Sequence, residues 1–319
     1  MNQKAATTFD GPKSIYVHVP FCEAKCPYCA FASAVKREGD EELYLDSLAR
    51  EMRRRAHGAW KIDTLYVGGG TPSVLSPRSW ERLISLIDEN FSFSRRAEVT
   101  AEANPGSLSR EHLVLWRSWR INRISLGVQS FDDGRLAFLG RAHSSEQAKN
   151  AVRLCVDGGF SVSLDMMFGL PGETLRAWGT DLREAISAGP GHISVYQLTA
   201  EPGTSFGKRN FSLPEGYAQY RYAQWRLPRA GYTQYEVASF SIPGRESRHN
   251  LNYWNDGGYA GFGPSAWSHS GGERFKNTPS LDNYALNAAD SPVVFGERIE
   301  GERAARQAAV LALRTSCGI

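Results

Sequence analysis

Apolar and polar positions alternate along the first two thirds of the chain in short runs. In SIYVHV (14–19), Ile15, Val17 and Val19 alternate with Tyr16 and His18, a period of two that predicts a strand with one buried face. DTLYVGG (63–69), EVTAEAN (98–104), NRISLGV (122–128), SVSLDMMFG (161–169) and HISVYQL (192–198) repeat the theme. Between them lie helical patterns: EELYLDSLAREMRRRA, SPRSWERLISLIDENF, SREHLVLWRSW, SSEQAKNAVRLCVDGG and ETLRAWGTDLREAIS. Ser76 before Pro77, and Ser109 with Glu111 and His112 in the first turn, are plausible N-terminal caps. Strand alternating with helix predicts parallel βαβ units. Six such strands can close most of a barrel, which places functional groups at the C-terminal strand ends.

After residue 205 the rhythm changes. A helix is expected in PEGYAQYRYAQWRLPRAG and strand in YTQYEVASFSI. HNLNYWNDGGYAGFGPSAW reads as loops and short strands, and ERAARQAAVLALRT as a helix. The expected division is a core over 1–205 and an extension over 206–319.

Composition narrows the function classes. The 319 residues carry a net charge of +3, which gives no nucleic-acid footprint. No apolar run is long enough to span a bilayer, and MNQKAATTFDGPK lacks the apolar stretch of a signal peptide. A cytoplasmic protein is therefore expected. The five cysteines are an odd count with three clustered, a poor disulfide framework. Cys155 sits in a helical pattern and is expected to fill core, whereas Cys317 carries no signal.

The chemistry concentrates in PFCEAKCPYCAF (20–31), where Cys22, Cys26 and Cys29 have the spacing C-x3-C-x2-C. Three thiolates can hold three irons of a [4Fe–4S] cluster and leave the fourth open. A structural zinc site wants four ligands, and His18 is the nearest further candidate. The arginines of REMRRRAHGAWK (50–61) read as a solvated helix face, with haem propionates or an acidic partner as the alternative.

YVHVPFCEAKCPYC resembles the opening of the radical S-adenosylmethionine (SAM) superfamily. VGGGTPS, EANPG, RISLGVQSF, LGRAH, DMMFGLPGET, YQLTAEPGT and HNLNYW, in that order, are similar to the oxygen-independent coproporphyrinogen dehydrogenase family, and most similar to its haem-chaperone branch, HemW. The resemblance implies an α/β fold, a partial (β/α)6 TIM-like barrel with a C-terminal β/loop extension. It implies a [4Fe–4S] cluster on Cys22, Cys26 and Cys29, with SAM on the open iron. For SAM it points to Gly69, Gly70, Thr71, Glu102, Gln129, Arg141 and Asp165, with Tyr16 and Tyr28 flanking the cluster loop.

Two features separate chaperone from enzyme. The related dehydrogenase has a further cysteine two residues after its last cluster cysteine, where this chain has Phe31, and a longer segment before the cluster. The H-N-x-x-Y-W motif at 249–254 is associated with haem in the chaperone branch. His249 can ligate iron, and Tyr253 and Trp254 offer flat apolar faces to a porphyrin; His143 and His269 read as structural or solvated. Ala30 stands where that branch commonly has Asp. Family members usually continue past the segment LALRTSCGI into a small helical domain, so either a truncated form or a protein lacking that domain is expected. The expected function is a cluster- and SAM-binding haem chaperone whose partners are haem and haem-acceptor proteins. The alternative is a radical SAM enzyme acting on coproporphyrinogen III or another substrate, by oxidative decarboxylation, methyl transfer or a related reaction. Dimerisation is left open.

Overall fold

The computed structural model describes residues 12–56, 60–209 and 213–318. The N-terminal stretch read for a signal peptide lies largely outside them, as do positions 57–59 of the arginine-rich segment.

The expected alternation is borne out. β1 (Ser14–Val19) leads into the cysteine loop, which is clasped by the short pair β2 (Phe21–Cys22) and β3 (Ala34–Val35). Then follow α1 (Asp40–Arg55), β4 (Trp60–Gly69), α2 (Pro77–Asn90), β5 (Phe91–Ala103), α3 (Arg110–Ser118) and β6 (Arg123–Gln129). A short α4 (Asp133–Phe138), α5 (Ser145–Asp157), β7 (Ser161–Phe168), α6 (Leu175–Ser187) and β8 (His192–Gln197) complete the series. β1, β4, β5, β6, β7 and β8 are parallel neighbours in that order, the partial (β/α)6 barrel expected.

The caps read from sequence form. Ser76 accepts from the Ser79 amide, and Ser109 and His112 make a reciprocal capping box. The helices bury one stripe each against the outer face of the sheet. Tyr44, Leu48 and Met52 of α1, Trp80 and Ile87 of α2, and Trp178 and Leu182 of α6 are fully buried. Trp80 and Trp116 pack edge to face at 5.0 Å. Cys155 is buried in this layer, as expected.

The strand period of two has an unusual consequence. The residues turned to the helices are apolar: Ile15, Val17, Leu65, Val67, Ile124, Leu126, Val162 and Leu164. The alternate positions turn inward and are polar: Tyr66, Glu102, Arg123, Ser125, Ser163, Asp165, His192 and Ser194 all line one interior cavity. A polar barrel interior exchanges core packing for ligand contacts.

The extension joins the same sheet. After α7 (Tyr217–Arg226), β9 (Thr233–Gln234) and β10 (Ser239–Ser241) add antiparallel strands beside β8, so YTQYEVASFSI makes two strands around a turn. α8 (Arg248–Trp254) follows, and β11 (Ala260–Phe262) pairs in parallel with β1 at the other edge. β12 (Trp267–Ser270), β13 (Glu273–Asn277) and β14 (Val293–Arg298) form a small antiparallel sheet, with α9 (Leu281–Asn287) between the last two strands and α10 (Gly301–Ala312) at the end.

HNLNYW is helical, which corrects the expectation of loop and strand. One cause is local, the Ser247 side chain accepting from the Asn250 amide as N-cap, and one is distant in sequence. The Glu98 carboxylate of β5 accepts from the Arg248 and His249 amides at 3.1 and 2.9 Å and tethers the first turn of α8. The arginine-rich face is corrected too. Arg55 ion-pairs with the fully buried Glu51 at 2.6 Å, and Arg50 donates to the Ala285 carbonyl at 3.0 Å. α9 and the 260–277 segment cover this face of α1.

Candidate functional site

A cavity of about 310 Å³ runs from the cysteine loop to α8. Cys22, Cys26, Cys29, Tyr28, Gly69, Gly70, Thr71, Glu102, Gln129, Arg141 and Asp165 all line it. Ser247 and Asn250 of the α8 segment form its floor. Of the residues expected to hold the cluster and SAM, Tyr16 alone is absent from its wall, and His249, expected for haem, is absent too.

The mouth is built on the loop between β2 and β3. Lys25 ties the loop by donating to the Phe31 carbonyl and, at 2.9 Å, to the Ser33 hydroxyl. Two sulfurs receive donors. Arg141 Nη1 points at Cys26 Sγ from 3.4 Å, and Thr71 Oγ1 donates to Cys22 Sγ at 3.5 Å. Asn104 joins them: its amide donates to Thr71 Oγ1 at 3.1 Å, and its carbonyl oxygen accepts from Arg141 Nη2 at 2.5 Å. Burial raises the Cys29 thiol above its ordinary pKa.

His18 is not the fourth ligand of a zinc site. Its Nε2 donates to the Ala32 carbonyl at 2.8 Å, which makes Nδ1 the acceptor for the Tyr16 hydroxyl at 3.1 Å. Burial holds its pKa down at about 4. The imidazole also explains a glycine. A Cβ on Gly69, whose φ is +113°, would meet His18 Cε1 at 2.6 Å. At Gly70 a Cβ would stand 2.4 Å from the Phe21 carbonyl oxygen. The glycine turn is thus pressed against both β1 and the cluster loop.

Deeper in, Glu102 accepts from the Tyr66 hydroxyl at 2.8 Å and the Gly69 amide at 3.0 Å. Burial raises its pKa to about 7, opposed by the Tyr66 hydrogen bond. Asp165 accepts from Ser125 at 3.2 Å, and burial lifts it to about 6. Each carboxylate can accept from a ligand amine or hydroxyl. Gln129 closes β6 with φ at +68°, a strained conformation for a non-glycine residue. The next residues pin it there: Ser130 Oγ and the Phe131 amide both donate to Asp181, at 2.6 and 3.0 Å.

Tyr16 lies one layer behind the wall, stacked on Tyr66 at 6.2 Å between centroids. His249 departs from expectation. It is fully buried, its Nδ1 lies 2.8 Å from Thr64 Oγ1, and its Nε2 lies 2.7 Å from the Tyr253 hydroxyl. In this arrangement it offers no nitrogen to an iron. His143 is buried against the Val128 carbonyl, and His269 faces Asp256 at 3.7 Å, so both are structural.

Asn104, Arg123, Ser163, His192 and Ser194 were not anticipated. Their signal is the strand period itself, because Glu102 and Asn104, Ser163 and Asp165, and His192 and Ser194 alternate on one face.

Residues 16–185 match the radical SAM superfamily model. The chain is 40% identical over 262 residues to the haem chaperone HemW of Escherichia coli, covering 80% of this chain and 69% of that protein. It is 34% identical over 316 residues to HemW of Lactococcus lactis, covering 97% and 83%. Against HemW of Bacillus subtilis it is 33% identical over 320 residues, covering 96% and 84%. The chain belongs to the radical SAM superfamily, in the HemW family. In fold, this HemW-family chain resembles the coproporphyrinogen III oxidase HemN of Escherichia coli, with a TM-score of 0.86 at 24% identity over 97% of this chain and 77% of that one.

Membership of the superfamily implies a [4Fe–4S] cluster and SAM. The donor set fits them. Three thiols share one cavity mouth, and Arg141 Nε is buried there without a partner. Among the described residues no group of three His, Cys, Asp or Glu side chains is gathered as a mononuclear metal site. Among the described residues no helix is long and apolar enough to cross a membrane.

Proposed function

We propose that this chain is a haem chaperone of the cytoplasm, which holds a [4Fe–4S] cluster and SAM, binds haem and passes it to acceptor proteins. The observation that carries the reading is the similarity to HemW proteins at 33–41% identity over most of the chain. Phe31, in place of a further cysteine, agrees with it.

Cys22, Cys26 and Cys29 are the thiolates for the cluster, which supplies an open iron and a transferable electron when bound. The chain's own residues orient the second cofactor. Arg141, its Nη groups held by Cys26, Asn104 and the Gly127 carbonyl, keeps one charged donor, Nε, for a carboxylate. Gly69, Gly70 and Thr71 bring backbone close to an amino acid moiety. Glu102, Gln129 and Asp165 accept and donate along the wall, and Tyr28 covers the mouth. Donors on Cys22 and Cys26 draw charge from the sulfurs and tune the cluster's potential. Tyr16 acts through Tyr66, as its backing ring.

Haem is assigned to the HNLNYW segment. Ligation by His249 requires Nε2 to leave Tyr253 and α8 to shift from the barrel floor. The test is an anaerobic haem titration of the cluster-reconstituted chain, read at the Soret band. Saturable one-to-one binding is expected. A linear, unsaturated response would overturn the chaperone reading.

A further inference from the structure

The barrel floor holds a cation that the cluster and SAM assignments do not use. Arg123, the first residue of β6, is 3% exposed and lines the cavity. Its Nη1 donates to the Arg245 carbonyl at 3.1 Å, and among the described residues it makes no ion pair within 4.0 Å. Asp165 feels its charge but is bonded to Ser125 instead. A buried guanidinium without a carboxylate partner is costly. An arginine facing a cavity in that state is set for an anionic ligand.

A second observation points to the same spot. Ser247 N donates to the Tyr235 hydroxyl at 3.2 Å, and that hydroxyl lies 2.8 Å from His192 Nε2. The phenol oxygen accepts from the amide and shares a second hydrogen bond with Nε2. His192 is fully buried, and burial lowers its pKa. Its Nδ1 lies 2.7 Å from Ser163 Oγ. Ser163 pairs with Ser125 across the strands, one inward position along β6 from Arg123. The Tyr235–His192–Ser163 chain therefore fixes a hydroxyl on the same cavity wall as the Arg123 guanidinium, and a hydroxyl can donate to an anion. His192, Ser163 and Asn250 are all cavity-lining.

We propose that Arg123 and Ser163, oriented by His192 and Tyr235, form a carboxylate-binding subsite at the floor of the barrel, distinct from the Arg141 end at the cluster. The shared chemistry is a ligand carboxylate. Its two sources are a porphyrin propionate, which rests on the haem-binding reading, and the carboxylate of SAM, which does not.

The experiment uses the full cluster-reconstituted chain under anaerobic conditions, as wild type, Arg123→Gln and Ser163→Ala. Mesoporphyrin IX is the first probe: it has two propionates and no iron, so histidine ligation is silent. SAM and its decarboxylated analogue are the second pair. Arg123→Gln is expected to weaken mesoporphyrin by about tenfold or more, and Ser163→Ala by about threefold, with SAM unchanged. If instead both variants weaken SAM but not its decarboxylated analogue, the subsite stands and its carboxylate is that of SAM. If both variants bind mesoporphyrin and SAM as the wild type does, the subsite is overturned. Ser163→Ala removes one oxygen and keeps the test open should Arg123→Gln fail to fold. Haem binding is read separately on the wild type, so failure of the chaperone reading leaves the SAM arm intact.

Discussion

His249 and Tyr253 are locked together one helical turn apart, with Nε2 and the phenol oxygen 2.7 Å from each other. The proton positions follow from the neighbours. Thr64 Oγ1 donates to Ser14 Oγ at 3.0 Å, so it accepts from His249 Nδ1. Nε2 is then the lone pair that Tyr253 occupies, and that lone pair is the one an iron would need. Tyr253→Phe removes the latch. It should cost about 1 kcal/mol of stability and, by freeing Nε2, tighten haem binding by about fivefold in the Soret titration. Weaker haem binding by this variant would make Tyr253, not His249, the haem contact.

Arg141 touches Cys26 and Asn104 while keeping Nε free. Arg141→Gln should leave the three thiols able to assemble the cluster. It should weaken SAM by about tenfold or more, since a charged hydrogen bond is lost. Iron and sulfide content matched to wild type, with SAM affinity by equilibrium dialysis, checks both halves.

Glu102 gives a pH signature. Its pKa is raised by burial from an ordinary 4.5 to about 7, so the folded chain holds a proton that the unfolded chain releases earlier. Stability from this group is full below about pH 4.5 and is lost as pH rises through about 7. Glu102→Gln cannot ionise. The melting temperature of the variant should therefore gain on that of the ligand-free wild type between pH 5 and 8. Parallel pH profiles would show that Glu102 is ionised throughout.

Glu51 fastens the extension to the barrel. Its carboxylate accepts from Arg55 at 2.6 Å, Asn277 and the Gly263 amide at 2.8 Å, and Tyr284 at 2.5 Å. Glu51→Ala leaves these donors buried without an acceptor and should cost about 3–5 kcal/mol by urea unfolding. Arg306→Ala, which breaks an exposed pair with Glu302, should change stability by less than about 0.5 kcal/mol.

The barrel was legible because its signals are local. Alternation in SIYVHV and its successors, and caps such as Ser109, depend on residues a few positions apart. The cluster loop was legible from spacing alone. The floor was not. α8 has a local cap in Ser247, but its first amides are also taken by Glu98, some 150 positions away, and nothing within HNLNYW announces that. The same distance hid His249, since exposure depends on what covers a residue, and here Thr64 and Tyr66 do. Arg50 and Arg55 looked solvated for the same reason. Arg123 and Ser163 were visible in principle, being inward positions of strands already recognised, but polarity at an inward position has meaning only once the barrel is closed.

The most direct test is electron paramagnetic resonance of the reconstituted, dithionite-reduced chain with and without SAM. A [4Fe–4S] signal whose g values shift on adding SAM, and which is lost in Cys26→Ser, is the predicted result. An iron-free protein, or a cluster signal indifferent to SAM, would contradict the account of this site.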